Sequence, residues 1–162
     1  MKLYLGYGSN LNVTQMMARC PNAKPYGTIL LKDWKLVFKG VADIIPQKNS
    51  SVPVGIWKIT DDCEKALDRY EGYPVLYKKI YFRTKQNERM LCYKMNSYDI
   101  SPPMEMYYET IRKGYKDFGL DMKYLTEALE HSQTHDTGKG RVPNRFKHSS
   151  PKLPNIGNLL FD

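Results

Sequence analysis

Two stretches of this chain carry residues whose types and spacing could do chemistry. Glu71 closes the run 61–70, in which Cys63, Leu67 and position 71 recur at i, i+4 and i+8, with Ala66 and Tyr70 alongside. That period describes one face of a helix, so the spacing predicts a carboxylate at the inward end of an apolar stripe. Burial and the negative end of a helix dipole both disfavour the ionised carboxylate. Together they push it toward the working range of a general base. The second stretch is Tyr4-Leu5-Gly6-Tyr7-Gly8-Ser9-Asn10-Leu11. It starts as an apolar, β-prone run and breaks at Gly8-Ser9-Asn10, where glycine accepts unusual dihedrals and Ser and Asn bond their own backbone. A strand, a turn and a helix start leave several amide N–H groups unpaired, a nest for a carboxylate, a phosphate or a developing oxyanion. Taken singly, each feature also has a plainer use: a turn that binds nothing, and a Glu that rotates into solvent at a frayed helix end.

The elements that must position these residues can be read in order. Asn12, with Gln15 three residues on, predicts the capped start of a helix over 13–19. Residues 24–31 predict an irregular strand, Asp33 a turn, and 34–38 a half-buried strand with alternating apolar positions. Another strand is expected over 41–45, then a polar loop at 47–51 and a strong strand over 52–59. The helix over 61–70 opens on a capping pair, Asp61 and Glu64, and Gly72 and Pro74 stop it. Two strands over 77–84 and 89–96 form a hairpin around Lys85-Gln86-Asn87-Glu88. Ser101-Pro102-Pro103 predicts the start of a helix reaching Phe118, and a last helix covers 122–132. This order predicts an α+β fold: a small, mixed, largely antiparallel β-barrel with flanking helices. One domain over 1–138 is expected, followed by a basic tail over 139–162.

At 162 residues the chain is long enough to bury a core, and 41% hydrophobic with 26% charged residues is ordinary globular composition. Thirteen tyrosines suit pocket walls, since each joins a flat apolar body to a polar tip. The net charge of +8 raises nucleic acid as a partner. It is spread widely, though, and the cluster Lys139, Arg141, Arg145, Lys147 and Lys152 has only Phe146 among it, so a solvated tail is the expectation. Cys20, Cys63 and Cys92 are far apart and odd in number, which fits reduced thiols. With no leader-like segment and no bilayer-length apolar run, a cytoplasmic protein without a membrane partner is expected. Whether it pairs as a homodimer is open. His131 and His135 have a metal-ligand spacing but no third ligand beyond Glu130 or Asp136, so no metal is expected. Ser9 lacks a nucleophile elbow, and Gly6-x-Gly8 lacks the rest of a dinucleotide fingerprint.

Tyr7-Gly8-Ser9-Asn10-Leu11, Asp68-Arg69-Tyr70-Glu71-Gly72-Tyr73-Pro74 and Ser101-Pro102-Pro103 ahead of a helix, in that order and spacing, resemble the γ-glutamylcyclotransferase family, the AIG2-like or BtrG-like superfamily. The resemblance spans about residues 2–138. It implies a barrel cavity where the Tyr-Gly-Ser-Asn loop meets the family's Glu. There a small γ-glutamyl compound cyclises to 5-oxoproline and its amine is released, with no cofactor. Glu71 matches the catalytic carboxylate. Tyr4, Leu5, Gly6, Tyr7, Gly8 and Ser9 match the strand and loop that hold the glutamyl part, and Asn10 completes the nest. Tyr77, Tyr93 and Tyr107 fall where relatives place cavity tyrosines. Gly6 departs from the Ala of close relatives, which implies a slightly wider site, and Tyr73-Pro74 is a second departure. A non-catalytic member that sequesters a ligand in the same pocket is the alternative, and the presence of Glu71 favours the enzyme.

Overall fold

The computed structural model describes residues 1–139, so the tail expected over 139–162 lies outside the described residues except for Lys139. The elements in chain order are β1 Lys2–Gly6, α1 Val13–Arg19, β2 Lys24–Phe38, β3 Ala42–Ile59, α2 Asp61–Glu71, β4 Tyr77–Arg83, β5 Arg89–Met95, α3 Glu105–Asp117 and α4 Met122–Thr134. The strands form one mixed sheet in the order β2-β3-β1-β5-β4. β1 runs antiparallel to β3 and parallel to β5, and the two outer pairs, β2–β3 and β4–β5, are antiparallel.

β1 lies in the middle of the sheet, and its alternation assigns one side chain to each face. Leu3, Leu5 and Tyr7 join the core packed by Ile111 and Tyr115 of α3 and Leu125 of α4. Tyr4 joins the core built with Met16 of α1 and Cys63 and Leu67 of α2. Helices therefore cover both faces, and the end of β1 is where residues from both layers converge.

The α+β class is as the sequence predicts, but the sheet is not a closed ladder. β2 and β4 remain its edges, and across the gap Trp34 and Phe82 meet edge to face at 5.4 Å between ring centroids. The four short strands expected between residues 24 and 59 are two long ones. Lys32 pairs with Ser51 and Trp34 with Pro46, so the polar segment is a bulge inside a continuous hairpin. Asp33 and Asn49 take the left-handed conformation there (φ 62° and 67°), and Asn49 N–H donates to Asp33 Oδ1 at 3.0 Å. Turn chemistry and bulge chemistry use the same residues, so the sequence alone does not separate them.

Two helix starts also differ. Thr60 caps α2, its Oγ1 accepting from Cys63 N–H at 3.2 Å, while Glu64 leaves the expected capping pair to bind Lys2 and Lys79. α3 begins at Glu105 rather than Ser101, because Ser101 is taken by the sheet: it bridges Lys39, and its carbonyl accepts from Gly40 N–H at 2.9 Å. Among the described residues no helix is long and apolar enough to cross a membrane. Cys20, Cys63 and Cys92 are free and buried, which agrees with the reduced thiols expected.

Candidate active site

Beyond β1 the chain passes Tyr7 and Gly8 and closes a 3-10 turn over Ser9–Leu11, with Leu11 N–H donating to Gly8 O and Asn12 N–H to Ser9 O, both at 3.0 Å. Asn12 then caps α1 by accepting from Gln15 N–H at 3.0 Å, as the sequence predicts. The first amides of such a turn have no carbonyl one turn back to bond. In the layer that it shares with α1, helix α2 ends at Glu71. Gly72 takes the left-handed conformation (φ 65°), and Tyr73 N–H returns to Asp68 O at 2.9 Å. This C-terminal closure suits glycine, and it fixes Glu71 as the last helical residue. The inward stripe is real: Cys63, Leu67 and Glu71 are the buried residues of α2, with Glu71 only 8% exposed.

Asn10 joins the two halves. Its Nδ2 donates to Glu71 Oε1 at 3.0 Å and to Tyr4 Oη at 2.9 Å. Its Oδ1 accepts from Arg19 Nη1 at 2.7 Å, and its backbone carbonyl accepts from Trp57 Nε1 at 3.0 Å. Ser9 Oγ lies 2.9 Å from Tyr70 Oη, a second tie between the loop and the end of α2.

These groups line a narrow cavity that opens to solvent. Of the residues the sequence singles out, Tyr4, Tyr7, Gly8, Ser9, Asn10 and Glu71 line it, and so do Tyr77, Tyr93 and Tyr107. Leu5 and Gly6 do not. Leu5 is fully buried in the core on the opposite face from Tyr4. Gly6 sits against the Asn10 backbone and Trp57, where an added Cβ would meet its neighbours at an ordinary 3.6 Å. Glycine at position 6 therefore widens packing behind the loop and not the cavity itself.

The tyrosines divide by what their hydroxyls do. Tyr7 donates to Tyr93 O at 2.6 Å, Tyr77 to Ala42 O at 2.9 Å, and Tyr93 to Asp68 Oδ1 at 2.5 Å. Those three are structural walls. Tyr107 Oη accepts from Ala42 N–H at 3.0 Å, so the turn between β2 and β3 is tied into the same wall. Tyr4 accepts from Asn10 and lines the cavity. Burial first, and the charge of Glu71 second, hold the Tyr4 phenol well above its ordinary range, so it stays a proton donor at neutral pH. Burial likewise raises Tyr7 and Tyr93, the latter helped by its bond to Asp68.

Sequence reasoning missed three participants. Tyr70 and Ala42 line the cavity, and Arg19 stacks its guanidinium 3.6 Å above the Tyr70 ring while holding Asn10. Tyr70 was within reach, being the neighbour of Glu71 on a period already recognised. Arg19 gave no signal, because its role depends on where α1 and α2 meet. His131 and His135 lie on and just beyond α4 with their rings stacked at 4.3 Å, and neither lines the cavity.

Comparison with known proteins gives concordant results. The family model described as γ-glutamyl cyclotransferase, AIG2-like, matches residues 4–115. The γ-glutamylcyclotransferase of Homo sapiens is 31% identical over 157 residues, covering 85% of this chain and 82% of the relative. That of Bos taurus is 29% identical over 165 residues, covering 90% and 85%. A solved structure of a γ-glutamyl cyclotransferase superposes with a TM-score of 0.67 at 25% identity, covering 90% of this chain and 95% of that one.

Proposed function

Because the chain belongs to the AIG2-like γ-glutamyl cyclotransferase family, we propose that this enzyme converts a small γ-glutamyl amino acid or amine to 5-oxoproline, with Glu71 as general base and then general acid. The observation that carries the reading is the Glu71 carboxylate, 8% exposed at the cavity wall, with Oε1 engaged by Asn10. Placed on the cavity wall, this carboxylate can accept the proton that the cyclisation releases, which favours the enzyme over a pocket that only sequesters a ligand.

The reaction needs little from the protein. The substrate's α-amine attacks its own γ-carbonyl, a five-membered ring closes, and the C–N bond to the leaving amine breaks without consuming water. Held in that geometry, an intramolecular nucleophile reaches effective molarities on the order of 10⁵ M. The Glu71 carboxylate takes the proton that the α-ammonium loses and returns it to the departing amine. The amides of Gly8 and Ser9 and the Tyr4 hydroxyl supply donors for the carbonyl oxygen as it becomes an oxyanion. The loop amides also suit the α-carboxylate without any Arg. No cofactor enters the scheme, and the buried free thiols fit a reducing, cytoplasmic setting.

Incubating the protein with a panel of γ-glutamyl amino acids, γ-glutamyl amines and glutathione-type peptides, and measuring 5-oxoproline, tests the reading. At least one class should yield product, and silence across the panel overturns it. Within the scheme, Tyr4→Phe removes a single donor while keeping the ring in its T-shaped contact with Tyr93 at 5.9 Å. It is expected to lower kcat by about 10²-fold, the usual loss for one oxyanion donor, with little change in KM. Steady-state kinetics on the best panel substrate checks this, and an unchanged kcat removes Tyr4 from the donor set.

A further inference from the structure

We propose that Arg19 is a positioning residue for Glu71 and acts through the Asn10 carboxamide; the kinetic part of this inference rests on the cyclotransferase reading. Arg19 is the last residue of α1 and does not line the cavity. Its Nη1 donates to Asn10 Oδ1 at 2.7 Å and its Nη2 to Gln15 Oε1 at 2.8 Å, while the guanidinium plane lies 3.6 Å over the Tyr70 ring. Three independent contacts thus fix the orientation of the fork.

A carboxamide buried to 3% exposure can sit in two orientations related by a flip about its last bond. In one, Nδ2 faces Glu71 and Tyr4 and Oδ1 faces Arg19. In the other, Oδ1 faces the Glu71 carboxylate and Nδ2 faces a guanidinium, so both charge-assisted bonds become repulsions. The cation at one end and the anion at the other therefore select the same orientation. Tyr70 is the covalent neighbour of Glu71, so the contacts close into a circuit: Arg19 to Asn10, Asn10 to Glu71, and Tyr70 back to Arg19. With Oε1 bonded to Asn10, the orientation of the carboxylate depends on the orientation of the carboxamide. Removing Arg19 takes away one of the two charges that select this orientation, so the Asn10 carboxamide holds Glu71 less firmly even though no group touching the substrate has changed.

The test uses Arg19→Ala in the full chain with two readouts. The first is the exchange of the Asn10 side-chain amide protons with water, followed by nitrogen-15 NMR. It is expected to be at least about tenfold faster in the variant, since the carboxamide that carries those protons loses the anchor on its Oδ1. The second is kinetic: kcat should fall about tenfold or more with KM within about twofold, as for a misaligned base. Guanidinium ion added at millimolar levels should restore part of kcat where sodium chloride at equal ionic strength does not. Arg19→Lys keeps a cation without the fork and should fall between the two. If Arg19→Ala does not fold, Arg19→Lys carries both readouts. Unchanged Asn10 exchange overturns the inference whatever the activity. Faster exchange with unchanged kcat overturns the link to Glu71, and a raised KM with unchanged kcat makes Arg19 a substrate-binding residue instead. If the wild-type protein makes no 5-oxoproline, the functional reading fails, and the exchange measurement still decides whether Arg19 fixes Asn10.

Discussion

Glu71→Gln is expected to lower kcat by about 10²-fold or more while leaving KM and the melting temperature near the wild-type values. The glutamine side chain keeps the shape of Glu71, and its carbonyl oxygen can still accept from Asn10 Nδ2, the bond that measures 3.0 Å here. The tie between the loop and the end of α2 should therefore survive, as should the Ser9–Tyr70 contact at 2.9 Å. What is lost is the ability to take a proton from an ammonium and hand it to an amine. A fold that depends little on the charge and a reaction that depends on it entirely should separate cleanly in kinetics and calorimetry. Retention of more than about a tenth of the wild-type kcat would remove Glu71 from the role of base, since general-base losses are larger than that.

Gly114→Ala should show the largest effect on stability. In an exposed helix this change would gain about 1 kcal/mol from helix propensity. Here α3 crosses the loop of the site so closely that a Cβ at position 114 would lie 2.5 Å from the Leu11 carbonyl carbon and 2.6 Å from Asn12 N. These are backbone atoms of the 3-10 turn and of the cap of α1, so no side chain can swing aside. Either α3 backs away from the core that Ile111 and Tyr115 fill, or the turn carrying Ser9 and Asn10 is displaced. Overpacking of this kind costs about 3 kcal/mol, and for a chain of this size the melting temperature should drop by about 6–12 °C. Activity should fall with it, because the displaced turn holds the partner of Glu71. A thermal melt decides the matter: a rise in melting temperature, as propensity alone predicts, would mean that α3 and the turn are not in contact.

Gly114 also illustrates what the sequence does not disclose. Its role is set by an approach between elements 100 residues apart, and nothing local marks it among the other glycines. The features that were legible are those written within one element. The Cys63, Leu67 and Glu71 stripe is a period, the Asn12 cap is a spacing, and Gly72 is a stop signal, and each appears where expected. Tyr77, Tyr93 and Tyr107 could be placed only through the family resemblance, yet all three line the cavity. The family resemblance also groups Leu5 and Gly6 with the site, as part of the strand and loop that it matches. The two-residue alternation of β1 sends Leu5 to the opposite face from Tyr4, and the Gly6 backbone packs behind the loop. The bulge at Asp33 and Asn49 and the capture of Ser101 by Lys39 are both tertiary choices among residues that would equally make a turn or a helix cap.

The central claim is that the substrate's own α-amine, deprotonated by Glu71, closes the ring. Comparing γ-glutamyl-alanine with its N-acetyl form addresses this most directly, with alanine, glutamate and 5-oxoproline measured in the same incubation. Free γ-glutamyl-alanine should release alanine and 5-oxoproline in equal amounts, and the N-acetyl compound should release neither, because acylation removes the nucleophile. Equal alanine release from both compounds, accompanied by glutamate or its N-acetyl derivative in place of 5-oxoproline, would mean that water is the nucleophile and would contradict the account.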